Sequence, residues 1–391
     1  MDGFPKKLGQ KLQERKEENT FRELKLLSSK TDFVSNDYLG MAREESAFRG
    51  ATGILESMGM MRNGSTGSRL LSGNSELHEK TEAVLARLYG ADSALIFNSG
   101  YDANLGLFSS LPQKHDVVLY DEFIHASVRD GIRMGLAKSY KYRHNDLDHL
   151  RELLQRLRKE ADNDSQYYLA TEAVFSMDGD QPDLESLIKL CAEFRCRLIL
   201  DEAHAISGID KTLKDLEDQE TARRVVFARI VTFGKAMGVQ GAAVLGCTQL
   251  RSYLVNFARS FIYSTALPPL SIATVFFACE QVKKEEYLQK KEGLRSNIER
   301  FLKVRDDLGL QERFIPSRSA IHSCVIPGNS SVKGVSEFLK KEGYGVLPIL
   351  SPTVPSGQER IRFCLHSFNS PDEIKEVLSI LARAIEENVH A

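Results

Sequence analysis

Two stretches of this 391-residue chain place reactive side chains directly behind apolar runs. In Arg197-Leu198-Ile199-Leu200-Asp201-Glu202-Ala203-His204 a carboxylate and an imidazole follow three apolar residues. Such a run, bounded by charge, reads as a buried strand of a parallel sheet covered on both faces. Ligands of open α/β sheets bind at the carboxyl ends of strands. A carboxylate half-shielded there costs free energy unless a cation meets it. Asp201 therefore implies a positively charged ligand atom, and His204 a second contact on the same ligand. Further on, Val231-Thr232-Phe233-Gly234-Lys235-Ala236 again puts functional groups behind an apolar run. An acid, an imidazole and an amine in that order suit a cofactor that forms an imine and carries a ring nitrogen. Pyridoxal phosphate is the candidate.

Asp201-Glu202-Ala203-His204 also spells the DEAH box of nucleic-acid helicases. That reading needs a phosphate loop, G-x-x-x-x-G-K-[ST], upstream of the box. The only Gly-Lys pair, Gly234-Lys235, lies downstream, is followed by Ala236, and has Arg229 where the first glycine belongs. A formal net charge of −2 also lacks the basic balance of a nucleic-acid track. The plainer alternative for these four residues is a core strand ending in an ordinary Asp-Glu turn, so the other motifs decide.

Asn98-Ser99-Gly100-Tyr101-Asp102-Ala103-Asn104 follows a strand pattern and precedes a helical one. Exposed N–H groups at a helix N-terminus make an anion site, and glycine lets a phosphate approach. Thr232 offers a hydroxyl to the same phosphate. His125 trails another strand pattern, and its flat ring is shaped to stack on a pyridine. Ser176 supplies a further hydroxyl at a strand end. Singly, a Ser-Gly turn or a lone histidine is more often structural. Several polar groups converging on one sheet edge are harder to dismiss.

The elements that must position these groups follow from the apolar patterns. Strands are expected at 94–97, 117–120, 167–170, 198–200, 230–231 and 242–245, with helices such as 146–160 and 183–193 between several of them. This alternation predicts an α/β fold with a mainly parallel sheet sandwiched by helices. An amphipathic helix is expected from Pro5 to Leu27, with Leu8, Leu12, Phe21 and Leu24 as its apolar stripe, then a short strand and turn over 33–40. Ser75 can cap a helix that Gly90 stops. After Pro268-Pro269 a long helical pattern runs to about Leu308. The tail predicts strands at 322–326, 345–350 and 360–365 and helices at 335–342 and 371–386, a smaller α+β domain. The expected domains are 1–50 (N-terminal arm), 51–270 (large α/β domain) and 271–391 (C-terminal domain).

A composition of 42 % hydrophobic and 27 % charged residues is that of a soluble globular protein able to bury a core. Near-zero charge gives no pull toward nucleic acid or anionic membrane. The six cysteines show no C-x-x-C pairing and read as reduced thiols of a cytoplasmic protein. Met1 to Thr20 is charged throughout, so it is not a secretory signal. Ser260 to Cys279 is uncharged for about a bilayer's length, but Pro268-Pro269 in its middle would break a spanning helix.

Taken together, Asn36-Asp37-Tyr38-Leu39-Gly40, Gly67-Ser68-Arg69, Ser99-Gly100-Tyr101, Phe175-Ser176-Met177-Asp178-Gly179, Asp201-Glu202-Ala203-His204, Thr232-Phe233-Gly234-Lys235 and Pro352-Thr353-Val354-Pro355 resemble the α-oxoamine synthases. These are pyridoxal-phosphate enzymes of the aminotransferase fold (fold type I), and the likeness covers nearly the whole chain. It implies that Lys235 holds the cofactor and moves protons at the substrate α-carbon. Asp201 would pair with the ring nitrogen, His204 with the ring hydroxyl oxygen, and His125 would stack on the ring, with Ser176 at its edge. Gly100, Tyr101 and Thr232 would line the cofactor site, and Ser264 and Thr265 would reach a neighbouring subunit's phosphate in a homodimer with shared sites. Asn36 and Arg362 would bind the amino-acid carboxylate, where a planar guanidinium is apt, and Thr353 would line the substrate site.

Phe257-Ala258-Arg259, Tyr263-Ser264-Thr265 and Gly241-Ala242-Ala243-Val244-Leu245 are most similar to the branch that joins L-alanine to a pimeloyl thioester, carried by coenzyme A or acyl carrier protein, in biotin biosynthesis. There Arg22 would meet the far carboxylate of the acyl chain, although a solvated basic face with Arg15, Lys16 and Lys25 is the usual explanation for such a residue. The glycine-using and serine-using branches would keep every cofactor residue and change only the substrate pocket. One segment departs from the family pattern. Where a glycine-rich run ending in Gly-Arg-Gly is usual, Gly208 is followed by Ile209-Asp210-Lys211 and a charged stretch to Arg224, which predicts a shorter or differently ordered loop.

Overall fold

The computed structural model describes residues 3–24, 26, 29–159 and 164–389. A short strand, β1 (Thr31–Asp32), precedes β2 (Ser93–Phe97), β3 (Val117–Asp121), β4 (Lys138–Tyr142), β5 (Tyr167–Glu172), β6 (Arg197–Asp201), β7 (Val226–Thr232) and β8 (Ala242–Gly246). After them come β9 (Ile321–Val325), β10 (Tyr344–Gly345), β11 (Leu347–Ile349) and β12 (Arg360–Cys364). Strands β2 to β8 form one sheet in the order β2-β8-β7-β6-β5-β3-β4, in which β8 alone runs antiparallel to its neighbours. The carboxyl ends of the other strands therefore share one edge.

Side-chain alternation sends successive residues of a strand to opposite faces. On β6, Leu198 and Leu200 enter a core with Leu150, Leu154 and Leu187, while Ile199 enters a core with Ala103, Leu107 and Phe108. Asp201, next in the period, belongs on the Ile199 side, where helix Gly100–Ser110 packs. The chain divides into two compact units. The larger holds 39–176 and 181–291, and the smaller holds 1–38, 177–180 and 292–391. These breaks differ from the expected ones at 50 and 270.

In the smaller unit β12 pairs antiparallel with β9 and β11, and β1 pairs parallel with β10. Segment 177–180 belongs to this unit through Ser323 Oγ, which donates to Met177 O at 2.6 Å, and the Arg360–Asp178 ion pair.

Several expectations are corrected. The N-terminal helix is only Lys6–Glu17, with none of its residues buried. Asn19 at φ 57° follows its end, so Arg22 and Leu24 lie on a non-helical, exposed segment. Lys25 and Leu27 lie outside the described residues. Residues 33–40 form no strand, because Asp32 Oδ1 takes the N–H groups of Val34 and Ser35 (2.8 and 3.0 Å) and turns the chain. The edge strand β4 was unforeseen, since its exposed Lys-Ser-Tyr-Lys-Tyr carries little apolar pattern. The long helical pattern after Pro268 is two helices, Pro269–Gln281 and Glu285–Asp307. Ser75 and Gly90 do bound helix Glu76–Tyr89, Ser75 capping His78 N–H and Gly90 adopting φ 65°.

Candidate active site

The turn after β6 is held by both neighbouring strands. Asp201 O accepts from Ala173 N at 2.8 Å, and Glu202 N donates to Ile230 O at 2.8 Å. This fixes where the Asp201 carboxylate sits, and it is 6 % exposed. Its Oδ1 accepts from Ala203 N (2.9 Å) and its Oδ2 from Asn104 Nδ2 (2.8 Å). A carboxylate has about four lone-pair positions, so acceptor capacity remains for a ring N–H.

Asn104, buried on helix Gly100–Ser110, also donates to Ser127 Oγ at 3.1 Å. Ser127 Oγ lies 2.7 Å from His125 Nδ1, which accepts from Ser127 N at 3.2 Å. An accepting Nδ1 leaves the proton of a neutral ring on Nε2. Protein packed around His125 lowers its pKa first. Asp201 opposes that shift, and the Lys235 and Arg129 cations reinforce it. His125 is exposed to solvent, so it is accessible to a stacking partner.

Glu172 ends β5 beside Asp201 in the sheet register. It is 3 % exposed and accepts His125 N at 2.7 Å. Burial, then repulsion from Asp201, drives its carboxyl well above the usual range. Lys235 and the N–H groups of His125 and Ser176 pull the other way. Lys235, half-buried on the turn after β7, thus acts electrostatically on both His125 and Glu172.

At the N-terminus of helix Gly100–Ser110, Ser99 Oγ takes Asp102 N–H at 3.1 Å. A Cβ on Gly100 would stand 2.6 Å from Thr232 Cγ2, so glycine allows the helix start and the Thr232 turn to meet. Thr232 Oγ1 donates to Ala203 O at 3.2 Å. The free N–H groups of that first turn face an anion favourably. His204 is buried. Tyr101 is exposed, its hydroxyl donating to Asp130 at 2.5 Å. Asn98 Nδ2 donates to Thr265 O at 2.8 Å, which brings the half-buried Ser264 and the exposed Thr265 to the same helix start.

The divergent segment after His204 is ordered. Asp210, 3 % exposed, accepts Ile206 N (2.8 Å) and Gln181 Nε2 (2.9 Å). A 3₁₀ turn at Leu213–Asp215 and helix Gln219–Val225 follow. Ile206, Ser207 and Thr212 wall a cavity of about 120 Å³ that also touches Ala203 and Thr232.

In the smaller unit, Arg362 is 6 % exposed and donates from Nη2 to Asn36 Oδ1 at 3.0 Å, with its Nε unpaired. A buried guanidinium with a donor to spare suits a carboxylate. Thr353 and Arg22 are exposed. Asn104, Ser127 and Glu172 were not singled out from sequence. A polar residue on the buried face of an otherwise apolar helix was the available signal for Asn104.

The model for "Aminotransferase class I and II" matches residues 28–381. The chain belongs to that family. A protein of Neisseria meningitidis serogroup A, provisionally named 8-amino-7-oxononanoate synthase, is 35 % identical over 350 residues, covering 89 % of each chain. A Methanococcus vannielii protein with the same provisional name is 36 % identical over 382 residues, covering 95 % of this chain and 97 % of its own. The crystal structure of 8-amino-7-oxononanoate synthase from Francisella tularensis superposes with a TM-score of 0.75 at 27 % identity, over 93 % of this chain and 99 % of that one. Serine palmitoyltransferase of S. paucimobilis gives a TM-score of 0.85 at 23 % identity, covering 99 % and 98 %, a likeness of fold. Within the family the chain is thus an α-oxoamine synthase of fold type I, and no described helix is long and apolar enough to cross a membrane.

Proposed function

We propose that this chain condenses L-alanine with a pimeloyl thioester, carried by coenzyme A or acyl carrier protein, in biotin biosynthesis. The α-carbon gains the acyl carbon, the carboxylate leaves as carbon dioxide, and the thiol is released with 8-amino-7-oxononanoate. The observation that carries the reading is the buried Asp201 carboxylate, with acceptor capacity to spare, in the electrostatic cluster that contains Lys235. Those residues and the Gly100 turn fit pyridoxal phosphate, which supplies an electron sink for a carbanion at the amino-acid α-carbon.

The roles of the side chains follow from their chemistry. Lys235 would hold the cofactor through its amine, and that amine would take and return the α-proton of the amino acid. Asp201 would pair with the ring nitrogen, His204 with the ring oxygen, and His125 would cover the ring face with Ser176 beside it. Gly100 and Tyr101 line the phosphate end with the Thr232 hydroxyl. Arg362 and Asn36 take the substrate carboxylate, and Thr353 lines the substrate site. The working form is read as a cytoplasmic homodimer in which Ser264 and Thr265 reach the partner's phosphate.

The relatives near 35 % identity support alanine and a pimeloyl donor over the other branches. Arg22, exposed on a non-helical segment, is the cation offered to the far carboxylate of the acyl chain. One ionic hydrogen bond there is worth about 1.5–3 kcal/mol. The test is a matrix of amino acids against acyl thioesters with the purified holoenzyme. Alanine with pimeloyl thioester should be the preferred pair, and Arg22→Ala should reduce activity more with pimeloyl than with an uncharged acyl donor of equal length. Preference for glycine with acetyl donor, or serine with a long fatty chain, would overturn the assignment. Equal losses on both donors would remove Arg22 from it.

A further inference from the structure

At the end of the main sheet opposite the cofactor groups, the chain carries a groove of about 600 Å³ lined by Arg158, Arg195, Arg197 and Arg224. Each sits where a helix feeds a strand. Arg158 ends helix Leu147–Lys159 ahead of β5, Arg195 and Arg197 bridge helix Leu184–Glu193 to β6, and Arg224 ends helix Gln219–Val225 ahead of β7. Among the described residues, no carboxylate lines the groove.

The ordinary reason for arginine at such places is the negative pole of a helix C-terminus. Arg158 serves that purpose, its Nη2 reaching Phe194 O and Arg195 O at 2.5 and 3.3 Å. The three helix ends together offer only about −1.5 elementary charges, and the Asp116 carboxylate, which accepts Gln166 N at 2.9 Å, offsets one more, so four guanidiniums still leave an excess of positive charge. Two of the four guanidiniums are held by their neighbours. Arg158 lies over the Tyr167 ring at 3.7 Å, and Arg197 lies over Phe227 at 5.0 Å with its Nε on Gln166 Oε1 at 3.1 Å. Arg195 has φ 50°, a left-handed backbone conformation uncommon for a non-glycine residue. A concave, one-signed wall focuses its field and concentrates counter-ions.

We propose that this groove is a binding site for a multivalent phosphate anion, an oligophosphate chain or a nucleoside polyphosphate, separate from the reacting centre. Guanidiniums in a fixed fork match phosphate oxygens in pairs. The five residues of β6 span roughly 17 Å. A ligand at the amino ends of β5 to β7 therefore touches neither Lys235 nor Asp201, and its effect on the reaction would be regulatory.

The test is calorimetric titration of the full-length holoenzyme, whose cofactor already fills the other phosphate site, with inorganic triphosphate and with ATP. Saturable binding of triphosphate is expected, weakening about tenfold between roughly 0.02 and 0.2 M NaCl as charges are screened. Arg195→Glu/Arg224→Glu, both exposed positions, should weaken it at least about tenfold while leaving cofactor absorbance and melting temperature unchanged. A control, Arg383→Glu, should bind as wild type. Equal affinity for triphosphate and ATP would mean that the phosphate chain alone is recognised, and tighter ATP would add a nucleoside contact. No saturable binding, or wild-type affinity in the double variant, would overturn the proposal.

Discussion

Asn104 Nδ2 donates to Asp201 Oδ2 at 2.8 Å across 97 residues of sequence. Through its second hydrogen it reaches Ser127, and Ser127 meets His125 Nδ1. One buried amide thus joins the carboxylate assigned to the ring nitrogen with the imidazole assigned to the ring face. Moving either would disturb the other.

Asp201→Asn should therefore do far more damage than its size suggests. A neutral amide cannot hold the ring proton, and removing one member of a buried ion pair costs about 3–5 kcal/mol, a loss of hundreds- to thousands-fold in kcat/KM. Asn104→Ala removes a hydrogen bond to a charged group, worth about 1.5–3 kcal/mol, and should cost roughly ten- to a hundredfold. Steady-state kinetics beside cofactor retention on dialysis separates the two. Near-normal activity of Asp201→Asn with cofactor bound would refute the assigned role.

Lys235→Ala should abolish turnover and leave the fold intact, since Lys235 lies half-buried on a turn outside the hydrophobic cores. Borohydride reduction of the wild-type holoenzyme followed by peptide mapping should place the cofactor on Lys235. Label on another lysine, or on none, would count against the whole reading.

Glu172 provides a test of burial against charge. Burial first, and Asp201 second, push its carboxyl up, which favours the neutral form that glutamine mimics. Glu172→Gln should stay within a few-fold of wild type. Glu172→Ala leaves the part-buried N–H of His125 without its acceptor, at about 1–3 kcal/mol, and should lower kcat/KM roughly tenfold or more. If Gln and Ala were equally harmful, a negative charge at this position would be essential and the pKa argument would fail.

Asp210 makes the divergent loop pH-sensitive. Burial raises its pKa from 3.8 to about 7, although Ile206 N–H and Gln181 partly offset the shift. The folded chain binds the proton more tightly than the unfolded one, so this stabilising contribution is complete below about pH 4 and is lost as pH rises through 7. The swing is on the order of 4 kcal/mol. Asp210→Asn stays neutral throughout, so its melting temperature should gain on wild type between pH 4 and 7 and level off above. A pH-independent gap would contradict this.

Much of the cofactor end was legible before the fold was known. Asp201, His204, Thr232, Lys235, His125 and the Gly100 turn all follow short apolar runs. Apolar runs become buried strands, and polar groups just beyond them fall at a sheet edge whatever the strand order. The charged stretch after Gly208 predicts a shorter or differently ordered loop, and the structure places a 3₁₀ turn at Leu213–Asp215 and helix Gln219–Val225 there.

Tertiary structure alone decided the rest. The order β2-β8-β7-β6-β5-β3-β4 is not the order of the chain. It depends on which faces bury best together, so no local pattern could place Asn104 against Asp201 or Glu172 beside it. Local charge also misled at the N-terminus, where, among the described residues of a helical pattern to Leu27, only Lys6–Glu17 is helix, because none of its residues is buried. Without tertiary packing, helical propensity over so short a segment is marginal. The arginine groove shows the same limit, since its residues come from three helix ends and only the parallel pairing of β5, β6 and β7 gathers them.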